Sequence, residues 1–294
     1  MCTAITLTTH NHYFGRNLDL EYSYEENVVI TPRRFLFPFQ TRYAFIGMAY
    51  VPHDYPLYYD ATNEMGLSMA GLRFPNEAIY HEYKEGKDNI APYELIPWIL
   101  GQCATVKEAA SLLRNCNLLN KAYSNNLPLT PLHWIVSDRT TSITIESVAD
   151  GLLIYPNTVG VLTNSPAFDL QMSHLSQYQQ AENLPGDWSS QSRFVKAAYV
   201  KKHSICDSSE NASISQFFHI LDSVTFTRGT VQVNETSYKI TQYSSCCNTD
   251  RGIYYYKTYD NSQITGVHLH HSDLDSRELT RFPLLKEQKI LWQN

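Results

Sequence analysis

Apolar and polar residues alternate over Cys2–Thr8, and a His10-Asn11-His12 turn separates this run from a second one, His12–Leu20. A period of two turns one face of each segment toward a core, so the pattern predicts a β-hairpin at the start of the chain. Strand patterns recur at Tyr43–Val51, Leu57–Tyr59 and Leu67–Leu72, the last two separated by the turn Asn63-Glu64-Met65-Gly66. Pro92–Gln102 and Val106–Arg114 carry apolar residues at helical spacing and read as successive helices. Leu132–Val136, Ser142–Ser147 and Leu152–Tyr155 predict a meander, followed by a strand at Val159–Leu162. Helices are expected over Phe168–Tyr178, Phe194–His203 and Ser213–Val224, the last with Ser213 as its N-cap. Ser237–Ser245, Gly252–Tyr259 and Gln263–Leu269 complete the strands. Groups of strands alternate with groups of helices and no β-α-β rhythm is visible, which predicts an α+β fold of antiparallel sheets covered by helices. No repeat and no long linker interrupts the pattern, so a single domain over 1–294 is expected.

Composition narrows the function. A 43% hydrophobic content supports a substantial core, and a net charge of −6 without any basic run argues against nucleic-acid binding. The 21 tyrosines suit half-buried strand faces and pockets for amphipathic ligands. There is no signal-peptide pattern and no apolar run of about 18 residues, so the expectation is a cytoplasmic protein without a membrane span. Disulfides are then not expected among Cys2, Cys103, Cys116, Cys206, Cys246 and Cys247, and their spacing fits no zinc site. Cys103 and Cys116 fall in a helical region and read as small core residues, and Cys246 and Cys247 lie at a strand end and face opposite ways. His219 reads as a packed helix residue, His270 and His271 as solvated, and His133 as no part of a site. No phosphate loop or metal cluster appears, so no cofactor and no metal is expected.

Cys2 directly follows Met1. Removal of Met1 would put a thiol and a free α-amine on one residue, a nucleophile with its own base. Hairpin pairing brings Arg16 and Asp19 close to it, Arg16 as a neighbour for a thiolate and Asp19 as a holder of the amine. Three residues apart on a strand, the two should face opposite ways, and an ordinary surface ion pair is the plain alternative.

The motifs have a family order. Met1-Cys2-Thr3-Ala4, Phe14-Gly15-Arg16-Asn17-Leu18-Asp19 and Thr31-Pro32-Arg33 are followed by Asn63-Glu64-Met65-Gly66-Leu67, Ala70-Gly71-Leu72 and Leu132-His133-Trp134. Then come Gly160 to Pro166, Leu184-Pro185-Gly186-Asp187, Ser192-Arg193-Phe194, Phe217 to Leu221 and Tyr243 to Cys247. Over nearly its whole length the chain resembles the choloylglycine hydrolase family, which comprises conjugated bile salt hydrolases and penicillin V acylases. The resemblance is nearest to the bile salt hydrolases of Gram-positive gut bacteria. It implies the N-terminal nucleophile hydrolase fold, a four-layer αββα sandwich with two antiparallel sheets. It implies Cys2 as nucleophile with Arg16, Asp19, Asn164 and Arg193 around it, and the backbone N–H of Arg73 as a second oxyanion donor beside Asn164. Leu18, Tyr22, Pro52, Tyr59, Tyr123 and Leu127 fall where relatives line the substrate cleft. The activity implied is hydrolysis of glycine- or taurine-conjugated bile salts. Penicillin V or another N-acyl amide is the alternative substrate, and an inactive ligand-binding homologue the alternative of another class. Relatives usually carry Asn where this chain has Arg73. They also carry a longer insert where residues 173–187 stand here, a segment associated with homo-oligomer assembly, so the tetramer of the family is not carried over.

Overall fold

Strand-forming runs of β-branched and aromatic residues alternate with short helices all along the chain, and the computed structural model describes residues 1–178 and 183–294 of it. The first part runs β1 (Cys2–Thr8), β2 (His12–Leu20), β3 (Asn27–Thr31), β4 (Phe45–Tyr50), β5 (Leu57–Asn63), β6 (Ser68–Arg73), β7 (Asp88–Ile90), α1 (Leu95–Leu100), α2 (Val106–Leu113), β8 (Cys116–Leu118), β9 (Leu132–Ser137), β10 (Ser142–Val148) and β11 (Gly151–Pro156). The remainder is β12 (Val161–Leu162), α3 (Phe168–Ser176), α4 (Ser190–His203), α5 (Glu210–Asp222), β13 (Gln232–Asn234), β14 (Ser237–Tyr238), β15 (Ile240–Asn248), β16 (Ile253–Thr258), β17 (Thr265–His268) and β18 (Thr280–Pro283).

Two large sheets result. One has six strands in the order β12-β1-β2-β15-β16-β17, the other eight in the order β11-β10-β9-β6-β5-β4-β3-β18. Their ladders are antiparallel throughout, so each strand can send alternate residues to different sides. Ile46, Met48, Ala70, Leu72 and Ile135 of the eight-stranded sheet pack with Ala4 and Phe14 of the other sheet. Their strand neighbours Phe45, Ala49, Met69, Trp134 and Val136 instead join a second core with α1 and α2. Phe194 and Ala197 of α4 and Phe217 and Leu221 of α5 join the first core, against β1, β2 and β15. The order of layers is helix, sheet, sheet, helix, as the resemblance implied.

The structure corrects several sequence readings. The N-cap of α5 is Ser209, whose hydroxyl accepts from the Ala212 N–H, while Ser213 lies inside the helix and is buried. Cys116 belongs to a short strand paired with β7, not to a helix. Cys246 and Cys247 lie within β15 and are both buried, so the strand extends past them. His219 is exposed, because the buried stripe of α5 runs through Phe217, Phe218, Ile220 and Leu221. β3 and β18 were not anticipated; β18 is a short edge strand ending in Pro283, with little apolar pattern of its own. Part of the shortened 173–187 segment, residues 179–182, lies outside the described residues.

Candidate active site

The register of the first hairpin pairs Cys2 with Leu18 and Ala4 with Arg16. These side chains therefore share the face turned to the eight-stranded sheet. Arg16 Nη1 crosses to it and donates to Tyr59 O at 2.9 Å and Gly71 O at 2.5 Å. Asn17 and Asp19 face the helices, and Asn17 Nδ2 donates to Leu221 O of α5 at 2.9 Å. The expectation of opposite faces holds. The alternative of a surface ion pair does not, since Arg16 and Asp19 are both fully buried.

Asp19 Oδ1 accepts from Thr241 Oγ1 at 2.6 Å, and its Oδ2 is buried with no hydrogen-bond partner among the described residues. Burial raises the Asp19 pKa, opposed by Arg193, the terminal amine, Thr241 and Arg16. Arg16 Nη2 is likewise buried and unpartnered. Burial alone would lower the Arg16 pKa, but Cys2, Tyr243, Asp60 and Asp19 nearby outweigh it and the net shift is upward.

Arg193 comes from the first turns of α4, where its Nη1 donates to Cys2 O at 2.6 Å and to Thr3 Oγ1 at 2.8 Å. Its Nη2 donates to Asn164 Oδ1 at 2.9 Å. Burial lowers its pKa, with Asp19 and Cys2 opposing. Asn164 follows β12; its Oδ1 also accepts from the Cys2 N–H at 2.8 Å, and its Nδ2 donates to Arg73 O at 2.7 Å. Arg73 pairs with Leu132, while the next residue, Phe74, donates its N–H to Pro131 O at 2.8 Å. Alternation of the ladder therefore turns both the N–H and the C=O of Arg73 away from β9 and toward Asn164.

Cys2 is only 1% exposed. Met1 extends the ladder past it: the Met1 amine donates to Asp19 O at 2.6 Å and the Asp19 N–H to Met1 O at 2.9 Å. Burial lowers the pKa of that amine, opposed by Cys2 and Asp19.

The residues expected to line a cleft form a tyrosine belt. Tyr22 is 59% exposed, and its hydroxyl lies 2.9 Å from that of Tyr24, whose ring stands 6.0 Å from Tyr50. Burial raises the Tyr24 hydroxyl to about 12, with Tyr22 adding to the shift and Arg73 opposing it. Tyr59 lies within charge range of Tyr24, Tyr50 and Arg16. Tyr123 donates to the carbonyl of buried Pro52 at 3.2 Å and packs on Tyr55 and Tyr93. Half-buried Leu127 closes a turn onto Ser124, and Leu18 is buried beside Cys2. A cleft of about 570 Å3 opens elsewhere, lined by Thr6, Val159, Leu175, Lys201 and His203. Cavity size therefore does not single out Cys2; the assembled polar groups do.

The sequence reading missed Asp60. It is buried between the sheets, where it accepts from Tyr243 at 2.6 Å, Tyr254 at 2.7 Å and Ser245 at 3.2 Å, and burial raises its pKa against the pull of Arg16. An acid inside the apolar run Leu57-Tyr58-Tyr59-Asp60-Ala61 was the available signal.

Residues 2–282 match the model of the linear amide C–N hydrolases, choloylglycine hydrolase family. A bile salt hydrolase/transferase of Lactiplantibacillus plantarum is 48% identical, over 98% of each chain. One from Clostridium perfringens is 36% identical over 99% of each. The crystal structure of the C2A mutant of the conjugated bile acid hydrolase from Clostridium perfringens superposes with a TM-score of 0.93 at 35% identity, over 100% of both chains. A penicillin V acylase from Agrobacterium tumefaciens shares the fold, with a TM-score of 0.80 at 20% identity over 96% of this chain and 91% of its own. The chain belongs to the choloylglycine hydrolase family of linear amide C–N hydrolases.

Proposed function

We propose that this protein hydrolyses the amide of glycine- or taurine-conjugated bile salts, with Cys2 as nucleophile once Met1 has been removed. The observation that carries the reading is the linked set around Cys2. Its nitrogen meets Asn164 at 2.8 Å, Arg193 joins Asn164 and the Cys2 carbonyl at 2.9 and 2.6 Å, and Asn164 reaches Arg73 at 2.7 Å. Arg16 Nη2 and Asp19 Oδ2, without partners among the described residues, flank this set from the two faces of β2. Names of the similar proteins supply the substrate class.

The Cys2 thiol gives its proton to its own α-amine, which Asp19 and Asn164 hold, and Arg16 stabilises the thiolate. Sulfur attacks the amide carbonyl, and the oxygen takes up negative charge beside Asn164 Nδ2 and the Arg73 N–H. The C–N bond breaks as the leaving nitrogen takes the proton from the α-ammonium. Water, deprotonated by the same amine, cleaves the thioester and frees the bile acid and the thiol. The tyrosine belt offers an apolar wall to a steroid. Arg73, exposed and in no ion pair among the described residues, suits the carboxylate or sulfonate of the amine half.

The test is amine release from glyco- and tauro-conjugated bile salts, with intact mass recorded and Cys2→Ala run in parallel. Loss of Met1 with release that depends on Cys2 is the expected result. Strong preference for penicillin V would overturn the substrate, and turnover undiminished in Cys2→Ala would overturn the mechanism.

A further inference from the structure

A buried ionisable pair that the mechanism above does not use lies beneath both oxyanion donors. His133 of β9 and Glu146 of β10 are cross-strand partners, both 0% exposed, with Nδ1 3.2 Å from Oε1. The other ring nitrogen, Nε2, lies 2.8 Å from Thr163 O, on the residue just before Asn164. The imidazole stacks on the Phe74 ring, just after Arg73, with centroids 4.3 Å apart and an interplanar angle of 8°. Glu146 Oε1 also accepts the Phe168 N–H at 2.8 Å, which ties the start of α3 to the same point.

Both ring nitrogens face acceptor oxygens: the Thr163 carbonyl can only accept, and Glu146 Oε1 accepts the Phe168 N–H as well. Nε2 therefore donates to Thr163 O, and Nδ1 faces Glu146 Oε1 at 3.2 Å. Phe74, Thr163 and Phe168, which also face the pair, carry no charge; Tyr155 of β11 lies within charge range of Glu146.

We propose that His133, held by Glu146, is the positioning residue that sets the spacing between the Arg73 N–H and the Asn164 amide. This rests on the roles given to Arg73 and Asn164 above. One flat ring touches the neighbour of each donor: its face bears on Phe74, and its far nitrogen bonds the Thr163 carbonyl. An aliphatic side chain would fill the same space but could not hold the Thr163 carbonyl. Misplacement of a donor by about 1 Å costs on the order of 10²-fold in rate.

The test uses His133→Asn, His133→Gln and Glu146→Gln in the full chain. A glutamine amide reaches the place of Nε2; an asparagine amide stops near Nδ1 and leaves Thr163 O without its donor. For His133→Asn, kcat on glyco-conjugates should fall on the order of 10²-fold, while KM and the rate of Cys2 alkylation by iodoacetamide stay within about twofold. His133→Gln should recover about tenfold of the lost kcat by restoring the Thr163 bond. Unchanged kcat, or an equal fall of alkylation with kcat, would overturn the proposal. A second readout does not depend on turnover. The 15N resonances of the Arg73 amide and the Asn164 side chain should move in His133→Asn, and static resonances would overturn the proposal even where the bile salt reading had failed. Glu146→Gln, which preserves volume, is read by the same two criteria where His133→Asn does not fold.

Discussion

The tasks proposed for the side chains around Cys2 are distinct, and substitutions should separate them. Asp19→Asn preserves shape but removes the negative charge facing the terminal amine. Amine release should fall on the order of 10²-fold or more with the fold intact, since general-base help of this kind contributes about 10²–10⁴-fold; wild-type turnover in Asp19→Asn would refute the role. Arg73→Asn removes an exposed cation, whose pairing with an anion is worth about 0.2–1 kcal/mol at a surface. KM for tauro- and glyco-conjugates should therefore rise at most about fivefold, with kcat little changed, and a neutral amide substrate should show no rise. Much of this residue scale was legible in the sequence. Strand periodicity put Arg16 and Asp19 on opposite faces of β2, and the motif order named Asn164 and Arg193. Asp60 and the His133–Glu146 pair were not legible, because their roles depend on which strands from the other sheet or the next ladder face them. No local pattern encodes that distance.

Strands and helices hold the site through close approaches and caps. Gly15, next to Arg16, lies so near β15 that an added Cβ would stand 2.0 Å from Ser245 O. Gly15→Ala should push β2 from β15, cost about 1–3 kcal/mol, and lower kcat by moving Arg16; denaturant midpoints and amine release report the two effects. At α5, Ser209→Ala should cost about 1 kcal/mol through loss of the N-cap bond to the Ala212 N–H, and an equal loss of stability with full capping retained would count against it. The sequence reading had set this cap at Ser213, four residues inside the helix. Ser, Asn and Ser all precede the apolar stripe there, and propensity alone does not choose among them. The long alternating strands, by contrast, were readable because each feeds a core on at least one side. β3 and β18 were not, one a short apolar run among loop residues and the other a pairing edge.

Across the whole molecule, the hairpin that carries the site at one end carries an acid-sensitive group at the other. His12, opposite Thr8 at the far end of β2, is 3% exposed, and burial lowers its pKa from 6.5 to about 4 against the pull of Asp250. A base whose folded pKa lies below its unfolded value is protonated first in the unfolded chain. The stability tied to neutral His12 is therefore whole above pH 6.5 and is lost as the pH falls toward about 4. The loss should reach about 3 kcal/mol, and the cost of His12→Asn measured by urea denaturation should shrink over the same window; a cost independent of pH would contradict this. The same hairpin sets a matter of timing. Met1 is hydrogen-bonded into the sheet at both its amine and its carbonyl, so excision after folding would first have to peel open the strand that holds the nucleophile. On the proposed mechanism, Met1 is expected to be removed while the emerging terminus is still free for an aminopeptidase. A cell that makes the chain faster than it trims it should accumulate folded but inert molecules. Specific activity would then follow the supply of aminopeptidase rather than the yield of protein.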